Sequence, residues 1–368
     1  MRVLVFTPSY PRYSGDYHGS FIQALCERLA SHVELTILAP RSRTMNPHYE
    51  HIEVKRFPYL PFRRCELVAE QTLVDAPIVH LAQLPAYLLS AYLNHLKDDY
   101  DLVHTHLAIP FGLLASHNPR KVAQLITCHG SDCTLPYRSA FYAPATRHAL
   151  RKADHVVTVS RYLERLAYGL GASPTRTETI YMGVDVNRFR PGPRSKLQTI
   201  GTLGRVIPGK NMEDLLRAVG ILQRKRDVRL IIGGEGTHLP TLKKMSLKLG
   251  LNDTIFVGRV NNAPAFHSKC NVFTLASVRE GLSVSLQEAM ASGCVPVAAD
   301  SFSSRELIAH NVNGFLYKSK DVRSLATRLE DALDNPGIGA VARETVLAHF
   351  NLDRNYKKYL SAYERVLG

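Results

Sequence analysis

Short runs of Val, Ile and Leu recur along the chain, separated by longer stretches in which apolar residues return every three or four positions. The short runs predict buried strands, and the longer period predicts helices packed on them. In the first half the strands fall at 2–7, 33–39, 52–57, 101–106, 122–128, 155–160 and 178–181. Helices fall at 20–30, about 76–96, about 140–152 and 161–168. The pattern breaks at 182–196, which holds two prolines and two glycines and reads as an interdomain linker. It resumes with strands at 198–203, 228–232, 254–257, 272–276, 295–298 and 314–317. Helices are expected between them at 212–223, 239–249 and 284–291, with a last one at 352–367. Strand–helix alternation of this kind predicts an α/β protein of two Rossmann-like β/α/β domains facing across a deep cleft. The expected divisions are 1–185, 186–350 and a C-terminal helix, 351–368, that packs back on the first domain.

Composition agrees with two domains. At 368 residues the chain is too long for one ordinary core. Its 45% hydrophobic and 21% charged content is that of a globular protein. The N-terminus reads as a strand and loop, not a signal peptide. The apolar stretch 78–93 is interrupted by His80, Gln83 and Pro85 and falls short of a membrane span. A cytoplasmic protein is expected. None of the six cysteines forms Cys-x-x-Cys, so reduced, buried thiols are expected. His104 and His106 sit two apart at a strand end and read as polar residues at its mouth.

The net charge of +14 is uneven. Residues 1–185 hold 19 Lys and Arg against 16 Asp and Glu, and residues 186–368 hold 27 against 16. A basic second half suits a polyanionic small molecule or a negative surface. Nucleic acid is not the expected partner, because aromatics make up 8%, Trp is absent and no nucleic-acid motif occurs.

Two motifs in the second half carry chemistry. Gly204-Arg205-Val206-Ile207-Pro208-Gly209-Lys210-Asn211 comes within one residue of a Walker phosphate loop. Asn211 replaces the hydroxyl that would hold Mg²⁺, so Arg205 and Lys210 are read as two cations flanking a diphosphate. Further on, Glu280 and Glu288 bracket Gly281, Leu282, Ser283 and the start of a helix. At ~1.5 Å rise per residue the two carboxylates lie on the order of 10 Å apart, with an anion-favouring helix N-terminus between them. That layout fits sugar hydroxyls, diphosphate and ribose hydroxyls. A glycosidase acid/base pair would need its carboxyl groups about 5–9.5 Å apart across one bond and leaves the cationic loop unexplained.

Gly204–Asn211, Gly233-Gly234-Glu235-Gly236, Phe256-Val257-Gly258-Arg259-Val260 and the Glu280…Glu288 pair stand in an order and spacing that resembles the family 4 retaining glycosyltransferases, which have the GT-B architecture. The first half is similar too, in Pro8-Ser9-Tyr10-Pro11 followed by His18-Gly19-Ser20-Phe21, in Thr127-Cys128-His129-Gly130-Ser131-Asp132, in Val159-Ser160 and in Ile180–Asp185. The resemblance covers nearly the whole chain. It implies that Arg205 and Lys210 bind a donor diphosphate, that Glu288 accepts ribose hydroxyls, and that Glu280 binds the transferred sugar beside the amides of Gly281, Leu282 and Ser283. Arg259 and Val260 would lie near the base. Gly19 would let the first loop approach phosphate or acceptor, and His129 would reach the reacting sugar. His18 and Asp132 are acceptor-side candidates, Asp132 with orienting His129 as its alternative role. The chain departs from the family pattern in having a single Gly19 after His18 and in having Ser283 where Gly or Pro is frequent. The second departure bears on donor identity.

The implied activity is retaining transfer of a sugar from a nucleoside-diphosphate sugar to an acceptor hydroxyl on a glycan or lipid-linked molecule. No cofactor and no metal are expected. Asp99-Tyr100-Asp101 resembles a metal motif of the other large glycosyltransferase architecture and is read here as a solvated approach to a strand. A nucleotide-sugar epimerase and a catalytically silent sugar-nucleotide binder are the alternatives on the same fold. Lys55–Arg64 interleaves cations with aromatics, so peripheral contact with an anionic membrane is a further expectation.

Overall fold

The computed structural model describes residues 1–13, 15–42, 52–61, 82–194 and 196–368. The chain forms two compact units, one of residues 1–182 with 353–368 and one of residues 183–352.

The first unit is a seven-stranded parallel sheet in the order β3-β2-β1-β4-β5-β6-β7. The strands are β1 (Arg2–Phe6), β2 (Glu34–Pro40), β3 (Glu53–Phe57), β4 (Leu102–His106), β5 (Ala123–Cys128), β6 (His155–Thr158) and β7 (Thr177–Thr179). The order reverses between β1 and β4, which is where an open α/β sheet opens a crevice at the strands' carboxyl ends. Val3, Val5 and Phe6 are fully buried, as the apolar run of β1 requires for a strand covered on both faces. Phe6 meets Phe111 edge-on at 4.4 Å in the aromatic core beneath that crevice. The helix Arg161–Gly169 begins where Ser160 accepts a hydrogen bond from the Leu163 amide, so β6 stops at Thr158 instead of running to 160.

The second unit repeats the scheme with six parallel strands in the order β10-β9-β8-β11-β12-β13. They are β8 (Thr199–Leu203), β9 (Arg229–Gly233), β10 (Thr254–Gly258), β11 (Val272–Leu275), β12 (Val295–Ala299) and β13 (Phe315–Tyr317). The reversal lies between β8 and β11. The core joins Ile200, Leu230 and Val297 of the sheet to Leu215 and Val219 of helix Met212–Leu222 and Leu329 of helix Val322–Asp334. The last of these helices starts at Asp321, whose carboxylate accepts the Ser324 amide. That helix and Ile338–His349 fill a stretch for which the sequence reading placed no element.

Three differences from the sequence reading have plain physical causes. The stretch read as an interdomain linker is packed at several of its described residues. Val184, Val186 and Phe189 are buried, Arg343 donates to the Phe189 carbonyl at 3.0 Å, and Arg194 donates to the Ser292 carbonyl at 2.7 Å. His104 and His106 are fully buried, and His104 is bonded to Thr127 at 2.8 Å and to Tyr363 at 2.7 Å. Tyr363 belongs to the C-terminal helix Leu352–Leu367, whose residues from Asp353 onward lie in the first unit, with Asp353 paired to Arg28 at 3.1 Å. The chain changes unit after Met182, not after Asp185.

Of the helix expected at about 76–96, the described part is Leu84–His95, and residues 76–81 lie outside the described residues. Cys65, Arg63 and Arg64 lie outside them too. The other five cysteines are free and buried. Among the described residues no helix is long and apolar enough to cross a membrane.

Candidate active site

In the second unit the loops after β8 and β11 flank the point where strand order reverses, and they carry the two groups that meet. Lys210, at the end of the first loop, places Nζ 2.5 Å from Oε1 of Glu280 in the second. The Ser277 hydroxyl donates to the same oxygen. Among the described residues no hydrogen bond falls on Oε2 of Glu280. Asn211 adopts a left-handed conformation (φ 51°) and donates from Nδ2 to the Ala276 carbonyl at 3.3 Å, tying the two loops together where a Walker loop would hold a hydroxyl for metal. Arg205 lies half-buried in the first loop.

The glycines of 233–236 are what lets that loop lie flat on 204–206. A Cβ on Gly234 would sit 1.8 Å from the Gly204 carbonyl oxygen, at a φ of +124° that L-residues rarely adopt. Val206 donates its amide to the Glu235 carbonyl at 2.8 Å, and Gly234 donates to Gly258 at 2.7 Å. The ends of β8, β9 and β10 are therefore stitched edge to edge, with the half-buried Arg259 and Val260 beginning the loop after β10.

Helix Val284–Ala291 begins at Ser283, whose hydroxyl accepts the Leu286 amide at 3.3 Å. The departure from the family pattern at this residue is thus a buried helix cap with its Oγ turned into its own helix. The amides of Gly281, Leu282, Ser283, Val284 and Ser285 donate to no acceptor among the described residues. Five successive N–H groups at a helix start form an anion cradle. Just over one turn in, Glu288 sets Oε2 3.5 Å from Nε2 of His267. His267 is fully buried among Phe189, Phe266 and Phe273. The sequence reading missed His267, because a lone His beside Phe in an apolar helix carries no pattern beyond that of core.

In the first unit the loop after β1 is held by a buried ion pair. Arg12 Nε lies 2.6 Å from Asp16 Oδ2, and His18 Nδ1 lies 3.0 Å from Asp16 Oδ1. Burial opposes ionisation of Asp16, but the hydrogen bonds from His18 and Arg12 outweigh it and hold the carboxyl well below the usual range. His18 is therefore positioned by Asp16 while its ring stacks on Tyr17 at 4.3 Å. Gly19, at φ +75°, brings the start of helix Ser20–Leu29 against that loop, where a Cβ would lie 2.4 Å from the Ser9 carbonyl oxygen.

His129 follows β5 with Nε2 2.8 Å from Nδ1 of His106 and its ring 5.2 Å from Phe21. Burial lowers the His129 imidazole to about 4. Of the two roles read for Asp132, acceptor side or orienting His129, its surroundings suit the second. It is 1% exposed, its Oδ1 accepts the Gly130 and His129 amides at 2.8 and 3.2 Å, and its Oδ2 accepts the Ala108 amide at 3.2 Å. It holds the turn that carries His129 and joins it to the end of β4, and burial raises its own pKa. Cys128, Asp132 and Cys133 bring potential ligand atoms within 4.8 Å of one another. Their chemistry does not favour a cation, because Asp132 is committed to amides and both thiols are pushed up, Cys128 by its hydrogen bond with Cys133 and by burial. At the approach to β4, Asp99 pairs with Arg120 at 3.1 Å and Asp101 accepts the Arg2 amide at 2.7 Å. Of the cationic loop 55–64, Lys55 pairs with Asp98 at 2.9 Å and Arg56 donates to the Pro11 carbonyl at 2.5 Å.

Two parallel Rossmann-like sheets, one of them with a cation, a carboxylate and a run of free amides at its switch point, define an α/β protein with a candidate anion site. The family models described as Glycosyl transferases group 1 and Glycosyltransferase Family 4 match residues 184–346 and 18–188. A GDP-mannose-dependent alpha-(1-6)-phosphatidylinositol monomannoside mannosyltransferase of Mycobacterium tuberculosis is 30% identical, over 96% of this chain and 95% of its own. Sucrose-phosphate synthase from Thermosynechococcus elongatus shares the fold with a TM-score of 0.83 at 18% identity, over 100% of this chain and 99% of its own. Anabaena HepE in complex with UDP-glucose does so with a TM-score of 0.76 at 20% identity, over 98% and 99%. The chain belongs to the group 1, family 4 glycosyltransferases and has their GT-B fold.

Proposed function

We propose that this glycosyltransferase takes a sugar from a nucleoside-diphosphate sugar and passes it to an acceptor hydroxyl with retention of anomeric configuration. The observation that carries the reading is the meeting of Lys210 and Glu280 at the switch point of the second sheet, with the amides of 281–285, which follow Glu280, donating to no acceptor among the described residues. In this account the diphosphate lies on those amides, and Lys210 turns to it from Glu280. Arg205 supplies the second cation. Glu280, with Oε2 uncommitted, takes hydroxyls of the transferred sugar, and Glu288 takes those of the ribose. Arg259 and Val260 lie by the base. Gly19, His18 and His129 serve the reacting sugar and the acceptor from the first unit.

The chemistry follows from where charge develops. As the glycosidic C–O bond breaks, negative charge grows on the diphosphate, and prealigned donors there lower the barrier without reorganisation. Arg205, Lys210 and the amide cradle fill the role a metal plays elsewhere, so transfer is expected to persist in chelator. The departing phosphate oxygen takes the acceptor proton on the same face, so no nucleophilic carboxylate is required.

The mycobacterial relatives named for GDP-mannose and a phosphatidylinositol-linked acceptor make that donor, and a lipid-linked cell-envelope glycan, the first pair to test. A cytoplasmic enzyme touching the inner face of the membrane suits such an acceptor. The test is a binding and transfer screen across GDP-, UDP- and ADP-sugars, with NMR of the product's anomeric proton. Product of inverted configuration would reject retention. Sugar isomerised without acceptor, with its diphosphate intact, would indicate an epimerase instead.

A further inference from the structure

His106 was read from sequence as a residue at a strand mouth, yet it is fully buried and bonded to the one histidine expected to work on the sugar. The two rings stack with centroids 5.0 Å apart and planes 22° from parallel. We propose that His106 is a positioning residue that fixes His129 in the tautomer carrying its proton on Nδ1, so that His129 presents a hydrogen-bond donor and not a base. The proposal rests on the reading that His129 faces the reacting sugar.

Two neutral imidazoles 2.8 Å apart share one hydrogen between Nδ1 of His106 and Nε2 of His129. Both are kept neutral by burial, which lowers the pKa of each. If His129 were the donor, His106 would carry its own proton on Nε2. That atom is buried with no hydrogen-bond partner, and a buried N–H without an acceptor is disfavoured and rarer than an idle acceptor. The neighbouring His104 offers no relief, because its nitrogens are engaged by Tyr363 and Thr127. If His106 donates from Nδ1, only a lone pair is left unpaired. His129 then accepts at Nε2 and holds its proton on Nδ1. That nitrogen has no partner among the described residues, and the half-buried ring leaves it available to a ligand. A neutral Nδ1–H donates to an oxygen, of a sugar hydroxyl or of the leaving phosphate, and takes no proton from the acceptor. The arrangement thereby assigns acid/base work to another group, consistent with a phosphate oxygen as the proton's destination.

The direct test is ¹⁵N NMR of the imidazoles in the full-length enzyme, with His129 assigned by its loss in His129→Gln. The expected spectrum has a protonated-type Nδ1 and a lone-pair-type Nε2 for His129, and a protonated Nδ1 for His106. A proton on Nε2 of His129 overturns the proposal. In kinetics, His106→Phe keeps ring volume without a donor and is expected to lower kcat at least about tenfold with little change in donor KM, the direction seen when a working histidine is left in the wrong tautomer. His106→Asn, which restores a donor near the Nδ1 position, is expected to recover most of that loss. An Asn variant no better than Phe would reduce His106 to packing. Full activity in His129→Ala would instead remove the reading on which the proposal rests, whatever the tautomer. If the Phe variant does not fold, the wild-type spectrum alone decides.

Discussion

Lys210 and Glu280 are joined by a 2.5 Å ion pair across the two loops that flank the switch point of the second sheet. The pair is about one-fifth exposed on each side, so its own contribution to stability is modest, on the order of 1 kcal/mol or less. In the proposed account its meaning is functional: it stores a cation beside the amides of 281–285 until a diphosphate arrives. Glu280→Gln keeps the shape and removes the charge. It is expected to bind donor within a few-fold of wild type while kcat falls about 10²-fold or more, because the carboxylate is needed most as the sugar acquires positive charge. Separate measurement of donor Kd by calorimetry and of kcat by product formation checks this.

His267 is expected to hold Glu288 for the ribose. His267→Phe removes the buried nitrogen 3.5 Å from the carboxylate, a polar contact too long for a good hydrogen bond, and should weaken binding of a nucleoside diphosphate only about 2- to 5-fold. An analogue lacking the ribose hydroxyls should bind wild type and variant alike. Equal loss for both ligands would mean that the variant disturbs packing and not the carboxylate.

The strands were legible in the sequence because each is a continuous apolar run, buried on both faces, and a run such as Val272–Leu275 has no other stable use. Lys210 and Glu280 were legible because loop chemistry shows in residue type and spacing. His267 and His106 were not, because a buried histidine is defined by a partner far along the chain: Glu288 for one, His129 for the other. For Asp132 two roles stayed open in the sequence, substrate group or support of His129, for a related reason. A carboxylate three residues after His129 reads as a substrate group until its oxygens are seen to be taken by amides. Ser283, read as a departure bearing on the donor, also caps the helix that follows it, a role its position just before Val284 allowed from the start.

Gly234→Ala should cost more than about 2 kcal/mol of stability, because its Cβ would meet the Gly204 carbonyl at a backbone conformation closed to alanine. Gly209→Ala, where a Cβ meets nothing within 4 Å, should stay within about 0.5 kcal/mol of wild type. Urea unfolding of the three proteins gives both differences.

Asp16 makes stability depend on acid. Its folded-state pKa lies below the unfolded value of about 3.9, so its contribution is complete above that pH and is lost as pH falls toward the folded value. Asp16→Asn should therefore be less stable than wild type at pH 7, with the gap narrowing steadily below about pH 4. Denaturation midpoints at pH 7, 5 and 3 test the sign, and a gap that widens in acid would contradict the assignment.

The most direct measurement of the central claim is sugar transfer by the Arg205→Ala/Lys210→Ala enzyme, with a donor and acceptor that the wild-type enzyme uses and with folding confirmed by circular dichroism. The account predicts that transfer and release of nucleoside diphosphate both fall to background, in the presence or absence of chelator. Transfer near the wild-type rate by the folded double variant would contradict it.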